Sequence, residues 1–185
     1  MQNQVLEVIR KRRSVRKFKN HQISKEQLET ILEAGLLAPY SEEDSLFFTV
    51  VQNKEKIDEL NVLAKQAAID LEVEGLSDLG QVEGFHSLFE APTYILVSAK
   101  QESSSPGIDA GAAIQNMVLS AESMGLSSCW LFYPILAFIE EKNKHLKHEF
   151  NIPEEYVPLT SVVIGYKDED VSPRKPNVNN VSYFK

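Results

Sequence analysis

Apolar residues recur along the chain with two periods, and the changes between them mark out its elements. Val5, Leu6, Val8 and Ile9 give Gln4 to Arg12 the stripe of a short helix. A second helix starts at Ser24, where three signals agree: Ser24 as N-cap, Gln27 closing a capping box, and Ile23 with Leu28 as a hydrophobic staple. Its inner face runs through Leu28, Ile31, Leu32 and Gly35 to Ala38, and Pro39 ends it. Tyr40 to Ser45 is a polar, acidic loop, and Leu46 to Gln52, rich in Phe and Val, reads as a buried strand. Lys54 to about Leu71 is helical, with Ile57, Leu60, Leu63 and Ala64 inward. Gly75 to Glu90 has three glycines and no clean period, which predicts a loop with one helical turn.

Pro92 precedes a second strand, Thr93 to Ala99. The longest helix follows Pro106-Gly107, running from Ile108 to Met124 and ending at Gly125. Its apolar residues cover more than one face, so it is either central in its domain or shared with a second subunit. Ser127 to Phe132 is a third strand, Leu136 to Phe150 a helix stopped by Pro153, and Leu159 to Tyr166 a fourth strand. No internal repeat, low-complexity tract or linker interrupts this series. At 185 residues and 43% hydrophobic content, residues 1–185 are expected to form one domain around one sizeable core.

Charge changes the picture at one place. Arg10 to Lys19 holds seven of the 19 Lys and Arg residues in a chain whose formal net charge is -8. Basic runs are commonly solvated surface or a nucleic-acid or membrane patch. The overall acidity and the lack of a second basic cluster to track a backbone argue against nucleic acid. A small phosphate is the alternative: in an extended backbone Arg12, Ser14 and Arg16 share one face, with Arg13 and Val15 on the other. Two guanidinium forks and a hydroxyl suit a phosphate. The tail adds a late basic pair, Arg174-Lys175, between Pro173 and Pro176.

Other features exclude more than they suggest. Met1 to Val8 leads into charge, so no signal peptide is expected, and the longest apolar run, Cys129 to Ile139, contains a proline and is too short for a bilayer. The single Cys129 excludes an internal disulfide and fits a cytoplasmic location. His145 and His148 stand among Lys142, Lys144 and Lys147 and read as a solvated face, not as metal ligands. No P-loop or dinucleotide fingerprint is present.

Read together, these pieces resemble the nitroreductase-type FMN flavoproteins. The resemblance is carried by Arg12-Arg13-Ser14-Val15-Arg16 with Phe18, Ala38-Pro39, Phe48-Thr49-Val50-Val51 and Ala91-Pro92. It continues through Asp109-Ala110-Gly111-Ala112-Ala113-Ile114-Gln115-Asn116, Gly125-Leu126-Ser127-Ser128-Cys129-Trp130, Ile164-Gly165-Tyr166 and Pro173-Arg174-Lys175-Pro176. It implies an α+β sandwich around a mixed, mainly antiparallel sheet flanked by helices, a homodimer, and FMN bound between subunits. It implies an oxidoreductase passing electrons from NAD(P)H to a nitroaromatic, quinone or similar small acceptor, with neither nucleic acid nor membrane as partner and the chemistry carried by the flavin. Arg12, Ser14 and Arg16 carry over as phosphate and ribityl contacts, Arg13 as a neighbour of the ring's polar edge, and Arg174 with Lys175 as the second half of the phosphate site.

The chain departs from the family around the ring. After Ala38-Pro39 the family commonly has Ser, an Asn and Gln-Pro-Trp; here the loop reads Tyr40-Ser41-Glu42-Glu43-Asp44-Ser45-Leu46. An amide donates to a flavin carbonyl or N5, whereas an ionised carboxylate only accepts. Pro39, Tyr40, Ser41 and Glu42 remain the positions expected to face the flavin. After Trp130, Leu131 and Phe132 bring bulk where the family often has glycine, and they too are expected beside the ring, with Tyr40, Phe132 or Phe85 as stacking aromatics. The remodelled ring environment keeps open a second reading, a relative that binds flavin or another phosphorylated ligand for sensing or storage without turnover.

Overall fold

A computed structural model describes residues 3–184. Asn3 caps the first helix, α1 (Gln4–Lys11), and none of the helix's residues is buried. The helix α2 (Lys25–Leu36) starts on the expected capping box, with Ser24 and Gln27 each accepting from the other's backbone. It ends before Pro39, which disfavours helical backbone in the residue preceding it. Strand β1 (Leu46–Val51) leads to α3 (Lys54–Asp70), capped by Asn53. The expected single turn in the glycine-rich segment is α4 (Leu76–Gln81), entered through left-handed Gly75. Next come β2 (Thr93–Lys100), α5 (Pro106–Ser123) with proline in its first turn, and β3 (Ser127–Leu131).

Two segments differ from the sequence expectation. Leu136 to Phe150 is not one helix: α6 (Leu136–Ile139) and α7 (Leu146–Glu149) are separated by extended Glu140 and a short 3-10 turn at Glu141–Asn143. Five consecutive polar residues, Glu140 to Lys144, leave no apolar stripe to hold a continuous helix on the core. The last strand, β4 (Tyr156–Gly165), runs through Pro158, which the sequence reading placed outside it. The register slips between Val97 and Ser98, whose partners are Thr160 and Pro158, and a bulge is where a strand tolerates proline.

The sheet has order β1-β2-β4-β3 with every neighbouring pair antiparallel. The parallel pairing it carries is an isolated bridge, Ser14 to Ser128. Period-two alternation splits β2 between two cores: Tyr94 and Leu96 face α3 and the segment after β3, while Ile95, Val97 and Ala99 face α2 and α5. The sheet is therefore buried on both faces, which is why β2 reads as a nearly continuous apolar run. Small residues let α2 and α5 approach closely; a Cβ on Gly35 would lie 2.2 Å from Met117 Cε.

Gly165 closes β4 against the segment that carries the basic run. A Cβ there would meet Pro92 Cδ at 2.8 Å and Phe18 Cδ1 at 3.1 Å, and neither ring can fold away. Gly165→Ala is therefore expected to cost about 2 kcal/mol by overpacking. Urea denaturation checks this, and an unshifted midpoint would mean that Phe18 is loosely seated.

Candidate flavin phosphate site

Past α1 the basic run is extended backbone tied down by two isolated bridges, Ser14 to Ser128 and Phe18 to Lys167. Helix α1 stops at Arg12, whose backbone is already extended (φ -54, ψ 127). Val15 is 1% exposed and its N–H donates to Ser128 O at 3.0 Å; Phe18 is buried and bridges to Lys167. These two apolar anchors hold the segment down, so the polar residues around them fall on defined sides. Arg12, Ser14 and Arg16 all act on the Cys129 thiol of β3, which burial and, more weakly, the Glu169 carboxylate push up while Arg16, Ser14 and Arg12 pull it down. Arg13 lies on the other side, lining a groove of about 310 Å³ with Lys11, Glu122, Lys167 and Pro173.

Among the described residues, no carboxylate pairs within 4.0 Å with the guanidinium of Arg12, Arg13 or Arg16. Glu169 instead accepts from the backbone N–H groups of Arg16 (2.5 Å) and Lys17 (3.2 Å). It pins the segment and leaves the forks available. Two guanidinium groups and a hydroxyl on one side of an extended segment form a donor set that suits a phosphate ester and its neighbouring hydroxyls. The residues present therefore fit the phosphate end of FMN.

The remaining expected residues fall into three groups. The tail reaches the Arg13 side as far as Pro173; beyond it Arg174 and Lys175 are exposed and make no hydrogen bond or ion pair among the described residues. In the acidic loop Pro39, Ser41 and Glu42 are exposed, and half-buried Tyr40 donates to Gly35 O at 2.5 Å. Burial, then Asp109, raises the Tyr40 phenol above its ordinary value. Leu131 packs into the core on the α3 side, whereas Phe132 is 52% exposed beside Trp130, which is 47% exposed. Phe85, the other aromatic considered, stacks edge-on against Tyr133.

Asp109 was not singled out as a functional side chain by sequence reasoning. It is 2% exposed and accepts from Ser41 N–H (3.2 Å), Ser41 Oγ (2.9 Å) and Ser45 Oγ (3.1 Å). One buried carboxylate thus holds both ends of the Ser41–Ser45 loop. A signal existed: Asp109 stands one turn before Ala113 on the buried stripe of α5, where an acid needs donors. His145 and His148 are exposed as expected, and among the described residues no cluster of three or more His, Cys, Asp or Glu is arranged to hold a metal.

The nitroreductase family model matches residues 9–166. The chain belongs to the nitroreductase family. Among solved family structures, a nitroreductase with bound FMN from Bacteroides fragilis is 30% identical, with a TM-score of 0.92 over 100% of both chains. A second nitroreductase with bound FMN, from Desulfitobacterium hafniense, is 28% identical with a TM-score of 0.91 over 100% of both chains. The FMN reductase (NADPH) of Bacillus subtilis is 26% identical, matching 95% of this chain and 70% of that protein. The α+β fold with its antiparallel sheet between helices is thus the family's fold. Among the described residues, no helix is long and apolar enough to cross a membrane.

Proposed function

We infer that this chain is an FMN-dependent oxidoreductase, taking electrons from NAD(P)H and passing them to a nitroaromatic, quinone or similar small acceptor, as a cytoplasmic homodimer. The observation that carries this reading is the Arg12, Ser14 and Arg16 face, whose guanidinium groups are not paired with any carboxylate among the described residues. FMN supplies the chemistry when bound, accepting a hydride from the nicotinamide and releasing electrons to the acceptor. The chain's own residues hold and orient it. Arg12 and Arg16 grip the phosphate and Ser14 reaches the ribityl side, while Arg13 and the tail up to Pro173 line the opposite side of the segment.

Exposed apolar residues support the homodimer. Val5, Leu6 and Ile9 on α1 are 64%, 43% and 45% exposed, and Ile108 at the start of α5 is 75% exposed. Trp130 and Phe132 are exposed as well, further large apolar side chains for a second copy to cover. A second copy covering them brings its Pro39 to Glu42 loop toward the flavin. Glu42, Glu43 and Asp44 are all exposed in that loop, and they favour the second reading, flavin binding without turnover, because carboxylates there disfavour a reduced anionic ring.

An absorbance spectrum of the purified protein with added FMN separates the readings. A yellow protein bleached by NADPH or NADH is the expected result. A yellow protein that stays yellow under both donors supports binding without turnover, and a protein that retains no flavin removes the oxidoreductase reading and leaves another phosphorylated ligand for this face.

A further inference from the structure

The segment between α4 and β2 is latched onto α3 by side chains that share one helical face. Asp58, Asn61 and Lys65 stand at i, i+3 and i+7. Lys65 Nζ donates to the carbonyls of Val82 (3.1 Å) and Phe85 (3.0 Å), and Asn61 Oδ1 accepts from Ser87 N–H (2.7 Å) and Oγ (3.0 Å). His86 lies between them with its side chain 14% exposed. Its Nδ1 accepts from the N–H groups of Leu88 (3.2 Å) and Glu90 (3.3 Å), and its Nε2 faces Asp58 Oδ1 at 3.4 Å. A ring nitrogen accepting from two backbone donors carries no proton, so this imidazole is neutral with its hydrogen on Nε2.

The loop it holds is strained. Phe89 and Glu90 have φ of 55 and 52, two consecutive left-handed residues without glycine. That shape places the Phe89 ring under the guanidinium of Arg16, 5.9 Å from carbon to ring centroid.

We propose that His86 is a positioning residue for Arg16: its Nδ1 fixes the Ser87–Glu90 loop so that the Phe89 ring seats the guanidinium. The link to cofactor binding rests on the reading of Arg16 as a phosphate contact. Protonation of His86 puts a donor at Nδ1 against two backbone donors, which removes the latch. The charged groups facing the ring are Asp58 and Lys54 of α3, ion-paired at 2.7 Å, and Glu90 of the loop itself. Burial holds the imidazole below its ordinary value of 6.5, against the opposing pull of Asp58 and Glu90. The sign follows. The neutral latch is complete above that value, and its stabilisation is lost as pH falls below it toward the lower folded value.

Two variants separate latch from bulk packing. His86→Asn places Oδ1 where Nδ1 was and accepts both N–H groups without titrating, whereas His86→Leu accepts neither. On the cofactor-free protein, amide hydrogen exchange of Leu88 and Glu90 is measured at pH 7.5 and 5.5, each referred to the intrinsic rate. The wild-type chain is expected to lose protection at the lower pH, His86→Asn to keep it, and His86→Leu to lack it at both. Unchanged wild-type protection overturns the latch. FMN titrations over the same range then test the seat. Losing a partly exposed cation-aromatic contact weakens FMN by about threefold in the wild type beyond the change seen in His86→Asn. The phosphate's own ionisation is common to both and cancels. Parallel pH profiles overturn the link to Arg16 while leaving FMN binding intact; absence of FMN binding at pH 7.5 removes the proposed function instead, and amide exchange alone decides the latch.

Discussion

Replacing Asp109 by alanine is expected to lower stability by about 3 kcal/mol, since hydrogen bonds to a charged group are strong and their loss leaves buried donors unpaired. Ser45 is fully buried, and its hydroxyl donates to Asp109 Oδ2 at 3.1 Å. That hydroxyl loses its acceptor once the carboxylate is gone. Ser41 loses the acceptor for both its N–H and its Oγ, but it is exposed and recovers them from solvent. The penalty is therefore concentrated at Ser45, offset in part because a buried charge no longer has to be desolvated. For a chain of this size the change corresponds to a melting temperature lower by about 6 to 12 °C. Ser45→Ala removes one partner and keeps the carboxylate held by Ser41, so about 1 kcal/mol is expected. The double variant should lose less than the sum of the two single changes, because the second substitution removes the orphaned hydroxyl. Additive losses, or an Asp109→Ala protein that melts with the wild type, would show that this carboxylate does not fasten the loop.

Asp109 also shows where reading the sequence stops. The strands were legible because a sheet buried on both faces must be apolar on both, and Tyr94 to Val97 can be little else. The capping box of α2 was legible because its two partners stand three residues apart and need no fold to meet. Asp109 meets Ser41 across 68 residues, and Glu169 meets Arg16 across 153. Such pairs follow from topology and leave no local pattern. Proline in β4 was misread for a related reason: Pro158 ends a strand by local rules, and only the partner strand's slipped register makes room for it. At the site, the alternation of Arg12, Ser14 and Arg16 needed only an extended backbone, which the anchors Val15 and Phe18 supply. What holds that backbone in place, Glu169 at the main chain and Phe89 beneath Arg16, had to come from the structure.

The other large effect is expected at that alternating face. Arg12→Ala and Arg16→Ala should each weaken FMN by about 10- to 100-fold, the worth of a charge-assisted hydrogen bond to a phosphate. The discriminating ligand is riboflavin, which has the same ring and ribityl chain without the phosphate. If the two guanidinium groups grip the phosphate, the wild type prefers FMN strongly, and each substitution erases much of that preference while barely changing riboflavin affinity. Arg12→Lys keeps the charge and loses the planar fork, so an intermediate loss is expected. Arg10→Ala is the control: Arg10 is exposed in the last turn of α1, before the extended segment begins, and its loss should leave both ligands unaffected apart from a small long-range term. Rising salt should weaken FMN more in the wild type than in the variants, because fewer charges remain to be screened. Equal losses for FMN and riboflavin would place Arg12 and Arg16 at the ring or in the scaffold, and the phosphate would then have to be held from the Arg174 and Lys175 end of the chain.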